Sequence, residues 1–159
     1  MDIYDYAMQM EKDGENFYRE LSSKTKNAGL KTILVMLADA EVKHYRLFHN
    51  MKENESIAVA DTPILNDVKN IFIQMKEKKQ FDVDAAQIEL YKRAQGIERK
   101  TRDFYLEQAD KAAPPQKGAF LKIADEEKRH YLILENIINF VKQPDIWLEN
   151  PEWYHMEEY

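Results

Sequence analysis

The chain contains no cysteine among its 159 residues. That absence excludes disulfides, thiolate catalysis, iron–sulfur clusters and all-thiolate metal sites, so any bound metal must be held by Glu, Asp and His. Glycine and proline are also scarce, at four and five residues, the balance of a folded, helix-rich chain rather than a disordered one. No apolar run approaches the roughly 20 residues that span a bilayer. The N-terminus, Met1-Asp2-Ile3-Tyr4-Asp5, is acidic where a signal peptide would be basic, so no membrane association and a cytoplasmic location are expected. No run of Lys and Arg is long enough to make a basic patch, and the formal net charge of -6 repels phosphate backbones. Nucleic acid is therefore not an expected partner.

What is present is hydrophobic periodicity. Hydrophobic residues make up 44% and charged residues 33% of the chain, and the length suits one domain with one sizeable core. Four stretches carry apolar residues at helical spacing. The first, from about residue 3 to 26, shows Met10, Phe17 and Leu21 and is broken by Asn27 and Gly29. The second, from about 30 to 53, places Leu34, Leu37, Ala38, Tyr45, Phe48 and Met51 on one stripe. The third follows Asp84 as an N-cap, carries Leu90, Ala94, Ile97, Phe104 and Tyr105, and stops at Pro114-Pro115. The fourth, from about 116 to 142, carries Phe120, Ile123, Ala124, Tyr131, Leu134, Ile138 and Val141 and ends at Pro144. The expected fold is all-α: a four-helix bundle over residues 1–144.

Between the second and third helices lies a long connection from Ser56 to Val83, with a helix start at Thr62-Pro63 and an amphipathic piece through Val68, Ile71, Phe72 and Met75. A connection of that length can cross the bundle end to end, which would set helices two and three parallel. The tail, residues 145–159, contains Trp147, Trp153, Tyr154 and Tyr159, and an aromatic tail is expected to pack on its own bundle or on a neighbouring subunit.

An internal repeat organises the chain. Glu11 is followed by Phe17 and Tyr18, and Glu98 by Phe104 and Tyr105. The segment from Leu37 to Tyr45 likewise matches that from Ile123 to Tyr131, each containing Ala-Asp followed by Glu-x-x-His-Tyr. The first pair is offset by 87 residues and the second by 86, so two helical hairpins of one design, differing by a loop residue, are expected around a pseudo-twofold axis.

Residues three apart on a helix lie about 60° apart around its axis, so Glu41 with His44, and Glu127 with His130, each project to one side. Their neighbours at spacings of three, four and seven are apolar, which aims both pairs into the core. Glu11 and Glu98 hold the same angular position on the other two helices, beside Ala7 and Gly14 and beside Ala94 and Thr101, although helix angle alone would also admit the nearby Glu15. An ionised carboxylate buried alone costs several kcal/mol and would protonate instead. Two divalent cations balance four carboxylates, and carboxylate with imidazole suits iron or manganese well and zinc passably. One Glu from each of two helices and one Glu-x-x-His from each of the other two is the di-iron carboxylate pattern. By contrast, Glu152-x-x-His155 lies beside Pro151 in a non-periodic tail and reads as surface, as does His49.

On these residues, namely Glu11 with Tyr18, Glu41-x-x-His44, Glu98 with Tyr105 and Glu127-x-x-His130, the sequence resembles the rubrerythrin branch of the ferritin-like superfamily. The resemblance implies that Glu41 and Glu127 bridge two irons, that Glu11 and Glu98 are terminal ligands, and that His44 and His130 each cap one iron. It also implies that Tyr18 and Tyr105 hydrogen-bond to ligand carboxylates. The implied activity is reduction of hydrogen peroxide or dioxygen to water in oxidative-stress defence, with iron cycling between ferrous and ferric states. Rubrerythrin proper carries a four-cysteine rubredoxin domain that is lacking here, so electrons would come from an external donor such as rubredoxin. Members with full peroxidase character place a second Glu where this chain has Thr101. A homodimer is the expected assembly. The same ligands would also serve ferritin-like ferroxidase and iron handling, or a non-catalytic module stapled by metal.

Overall fold

Six α-helices and one 3-10 turn make up the regular structure of the computed structural model, which describes residues 2–54 and 64–149, and no strand occurs among those residues. They are α1 (Ile3–Lys24), α2 (Ala28–Lys52), α3 (Ile64–Glu77), α4 (Ile88–Lys111), α5 (Gln116–Lys142) and α6 (Pro144–Glu149). The four long periodic stretches correspond to α1, α2, α4 and α5. Helix α1 pairs with α2 and α4 with α5, giving two hairpins laid side by side.

Local chemistry sets the ends. Asp2 caps α1 by accepting from Asp5 N at 2.8 Å, and Asn27 caps α2 by accepting from Leu30 N at 3.0 Å, each supplying an oxygen to an otherwise orphan amide. Asn27 also donates to Gln80 O at 3.0 Å and Asp82 at 3.2 Å, tying the α1–α2 turn to the strap before α4. Gly29 does not interrupt the chain there: it sits in the first turn of α2, where a Cβ would stand 2.3 Å from Met75 of α3. Asp84 caps not α4 itself but the 3-10 turn Ala85–Gln87, and α4 begins one residue later at Ile88. Pro144, expected as a stop, opens α6, where its missing amide is no loss. The helix start at Thr62-Pro63 lies outside the described residues, as do Trp153, Tyr154, Tyr159 and the Glu152/His155 pair.

The core has two apolar parts. One contains Tyr18, Leu21, Leu34, Leu37, Tyr91, Ala94, Leu134 and Ile138 with all the buried apolar residues of α3 and α6; the other contains Ala7, Phe48, Met51, Tyr105, Ala109, Phe120 and Ile123. Helices α2 and α4 both run from the first part to the second, whereas α1 and α5 run the opposite way. Thus α2 and α4 are parallel, and the connection between them traverses the bundle. Tyr45 is the exception on its stripe: it is 38% exposed, because it faces the cleft between α1 and α2 rather than the centre. His49 is exposed as well.

Helix α3 closes the first part of the core. Phe72 packs its ring 5.7 Å from Phe140 and 4.8 Å from Trp147 of α6, so the crossover and the start of the tail share one aromatic cluster. Phe72→Ala should therefore cost roughly 3–5 kcal/mol, the range for a buried Phe leaving a cavity. Urea melts of the two proteins check this; a loss below about 1 kcal/mol would show that α3 does not dock as described.

Candidate metal centre

Between the two apolar parts lies a layer of ionisable side chains. Glu11 of α1, Glu41 and His44 of α2, Glu98 of α4, and Glu127 and His130 of α5 are all buried, none more than 3% exposed. Helical repeat explains their level: each Glu is one step along an apolar stripe, and each His follows its Glu by three residues onto the same face. Gly14, one turn after Glu11, leaves space beside Glu41, whose Oε2 would be 3.4 Å from a Cβ there.

The side chains form two groups of four. Glu11, Glu41, His44 and Glu127 offer ligand atoms all within 4.8 Å of one another, and so do Glu41, Glu98, Glu127 and His130. Glu41 and Glu127 belong to both groups. The imidazoles face the centre through Nδ1: that of His44 lies 2.8 Å from Glu127 and 3.5 Å from Glu11. The Nδ1 of His130 lies 3.2 Å from Glu41 and 3.5 Å from Glu98. The two rings stand 5.9 Å apart and nearly parallel. Each of the two unshared carboxylates is held from the opposite hairpin, Glu11 by the Tyr105 hydroxyl at 2.6 Å and Glu98 by the Tyr18 hydroxyl. Thr101, at the position that pairs with Gly14 in the repeat, is buried and turns its hydroxyl back to Ile97 O at 2.8 Å.

One further residue belongs here. Glu126 is buried and bonds to His44 Nε2, leaving Nδ1 to face the centre. A carboxylate behind an imidazole fixes its orientation and raises its basicity. The repeat gives no sign of Glu126, because the matching position in the first hairpin is Ala40 and because it serves a histidine 82 residues away on the other hairpin. The usable signal is chemical: a ligating imidazole needs an acceptor for its second nitrogen.

Without a cation this layer is electrostatically uncomfortable. Burial, reinforced by the surrounding carboxylates, pushes Glu41 and Glu127 well above the ordinary carboxylate range. Burial alone would lower His44, but the charge of Glu11 and the bond to Glu126 outweigh it and raise it well above its usual value. Burial works against Glu98 and Glu126 too, yet hydrogen bonds from Glu127 and His130 hold the first down, and those from His44 the second. Tyr18 and Tyr105 are pushed up, chiefly by burial, and so remain hydrogen-bond donors.

Glu11 Oε2, His44 Nδ1, Glu98 Oε2 and Glu127 Oε1 are buried and make no hydrogen bond. Even the 2.8 Å approach of His44 to Glu127 is proximity without hydrogen-bond alignment, two donor atoms aimed at one space. Buried polar atoms are rarely left so, and these belong to an oxygen- and nitrogen-donor set suited to divalent iron or manganese. The residues fit two divalent cations.

A family model for Rubrerythrin matches residues 2–138. The chain belongs to the rubrerythrin family. Compared with curated proteins and with solved structures, it finds no match. Membership agrees with the all-helical bundle and with a buried Glu/His cluster able to hold metal. Among the described residues no helix is long and apolar enough to cross a membrane.

The raised groups predict a proton exchange. Glu41 and Glu127 hold their protons to higher pH than ordinary carboxyls do, so loading divalent metal, which needs them ionised, must release whatever protons they carry. Adding Mn²⁺ to weakly buffered metal-free protein should acidify the solution, and affinity should fall as pH is lowered; a pH-independent affinity would contradict this. The metal-free protein should also lose stability as pH rises above the ordinary carboxylate value of 4.5, because unfolding then frees Glu41 and Glu127 to ionise while the folded layer keeps them protonated. Glu126→Ala should weaken binding by roughly 10–100-fold, measured by competition with a chelating dye.

Proposed function

We propose that this chain is a di-iron oxidoreductase that reduces hydrogen peroxide, or dioxygen, to water with electrons from an external donor protein such as rubredoxin. The observation that supports it most is the sharing of Glu41 and Glu127 between two groups of four donors, the arrangement two adjacent cations need. In this reading Glu41 and Glu127 would be shared by two iron ions, with Glu11 and His44 holding one and Glu98 and His130 the other. Two bound iron ions would supply the electron pair that breaks the O–O bond.

The chain's own residues would do the remainder. Each peroxide converted to two waters consumes two electrons and two protons. Tyr18 and Tyr105 hold Glu98 and Glu11 and so keep the terminal carboxylates in register while the charge between them changes. Glu126 holds His44 by its outer nitrogen. Burial of all six donors keeps bulk water out of the layer. With no cysteine in the chain, re-reduction must come from outside it. Thr101, bonded to backbone, adds no further carboxylate to the layer.

Protein purified without oxygen should carry about two irons per chain, as the two donor groups require, and Glu41→Ala or Glu127→Ala should lose both. On stopped-flow mixing, the di-ferrous protein should be oxidised faster by hydrogen peroxide than by dioxygen, and a reduced rubredoxin should sustain turnover. If peroxide reacts no faster than dioxygen and no donor supports turnover, the peroxidase assignment fails.

A further inference from the structure

The pseudo-twofold repeat places a cleft at the same point on each hairpin, but the two clefts carry different charge. On the first hairpin it is lined by Lys12, Glu15, Val42 and Tyr45, among others. The offsets of 87 and 86 residues turn these into Arg99, Arg102, Lys128 and Tyr131, and those four line a cleft of about 180 Å³ between α4 and α5. Two substitutions break the symmetry, Glu15 to Arg102 and Val42 to Lys128. In the first cleft Glu15 neutralises its surroundings, pairing with Lys12 at 3.2 Å and Arg19 at 2.6 Å. The second has three cationic side chains and no such acid at the matching position.

The clefts also differ in depth. Glu98 and Glu127 line the α4–α5 cleft, whereas their counterparts Glu11 and Glu41 do not line the α1–α2 cleft. Its cationic wall is ordered: Arg99 donates to the Tyr131 hydroxyl at 2.8 Å and lies over that ring at 5.2 Å. Arg102 reaches Asp103 at 3.3 Å through its terminal nitrogen, but its Nε is buried without a hydrogen-bond partner. An unsatisfied cationic donor in a cleft floored by the buried Glu98 and Glu127 is suited to an anion. The cleft's lining sets three cationic side chains against the two carboxylates of Glu98 and Glu127, and in a chain of net charge -6 that local excess of positive charge focuses anions at one place.

We propose that the α4–α5 cleft is the port through which small anions reach the metal centre from the Glu98–Glu127 side, with Arg102 and Lys128 setting its preference for negative charge. This rests on the di-iron reading for what lies beneath the port. Azide is the probe, its association with the di-ferric protein followed by the change in visible absorption. In the unsubstituted protein the rate should fall as salt is raised. The pair Arg102→Glu with Lys128→Glu should slow azide by about tenfold or more at low salt, the lower end of electrostatic steering, and flatten or invert the salt dependence. The pair Lys12→Glu with Arg46→Glu, on the other cleft, imposes the same change of net charge and should leave the azide rate within about twofold, since steering acts locally. Equal effects from both pairs, or none from the first, would overturn the port. A second measurement needs no metal: anomalous scattering from crystals soaked in bromide should place an ion in the α4–α5 cleft and none in the other, and the reverse, or a peak in neither, counts equally against it. Protein that loads no iron would defeat the di-iron reading, while the bromide result still decides the port.

Discussion

Four buried carboxylates at one level of a helical bundle repel one another, and that repulsion governs the rest of the structure. The Glu11, Glu41, Glu98 and Glu127 side chains lie almost wholly out of water, where an uncompensated charge costs several kcal/mol even after relaxation. Protons can relieve the strain, as the raised Glu41 and Glu127 indicate, but protons leave other donor atoms without partners. Two divalent cations would satisfy both the charge and the lone pairs. The apolar clusters on either side act as the insulation that makes this exchange of protons for metal energetically large.

The pseudo-twofold design supplies the geometry cheaply. Each hairpin contributes one Glu and one Glu-x-x-His, and each places a tyrosine against the terminal carboxylate of the other. The hairpins are therefore tied through the layer itself, and the long crossover between α2 and α4 allows the halves to meet in register. Departures from the twofold carry the individuality of the chain. Glu126 in place of Ala40 gives His44 a carboxylate behind it, and Arg102 with Lys128 makes one of two matching clefts cationic. The surroundings of His44 and His130 are thus chemically inequivalent although the Glu/His pattern repeats.

Much of the bundle is legible in the amino-acid order alone. Helical periodicity locates α1, α2, α4 and α5 to within a few residues, because an apolar stripe at a spacing of three and four has one stable partner arrangement, a bundle. The boundaries shift where caps intervene: Asp84 initiates a 3-10 turn first, and Asn27 starts α2 so that Gly29 falls inside its first turn, where Met75 leaves no room for a Cβ. Tyr45 lies outside the core because a stripe assigns a face but not its edge. No stretch of Lys and Arg along the chain foretells the cationic cleft, since its three charges come from two helices.

By itself the sequence determined the types of side chain in the buried layer, the helical repeat and the duplication, for these depend on residue identity and on separations along one helix, where 3.6 residues per turn converts spacing into direction. Only the tertiary structure decided which carboxylates are shared between the two groups of donors, which tyrosine meets which glutamate, that Glu126 stands behind His44, and which cleft opens onto the layer. Those are distances between helices remote in the chain, set by how two hairpins pack, and no spacing within a helix encodes them.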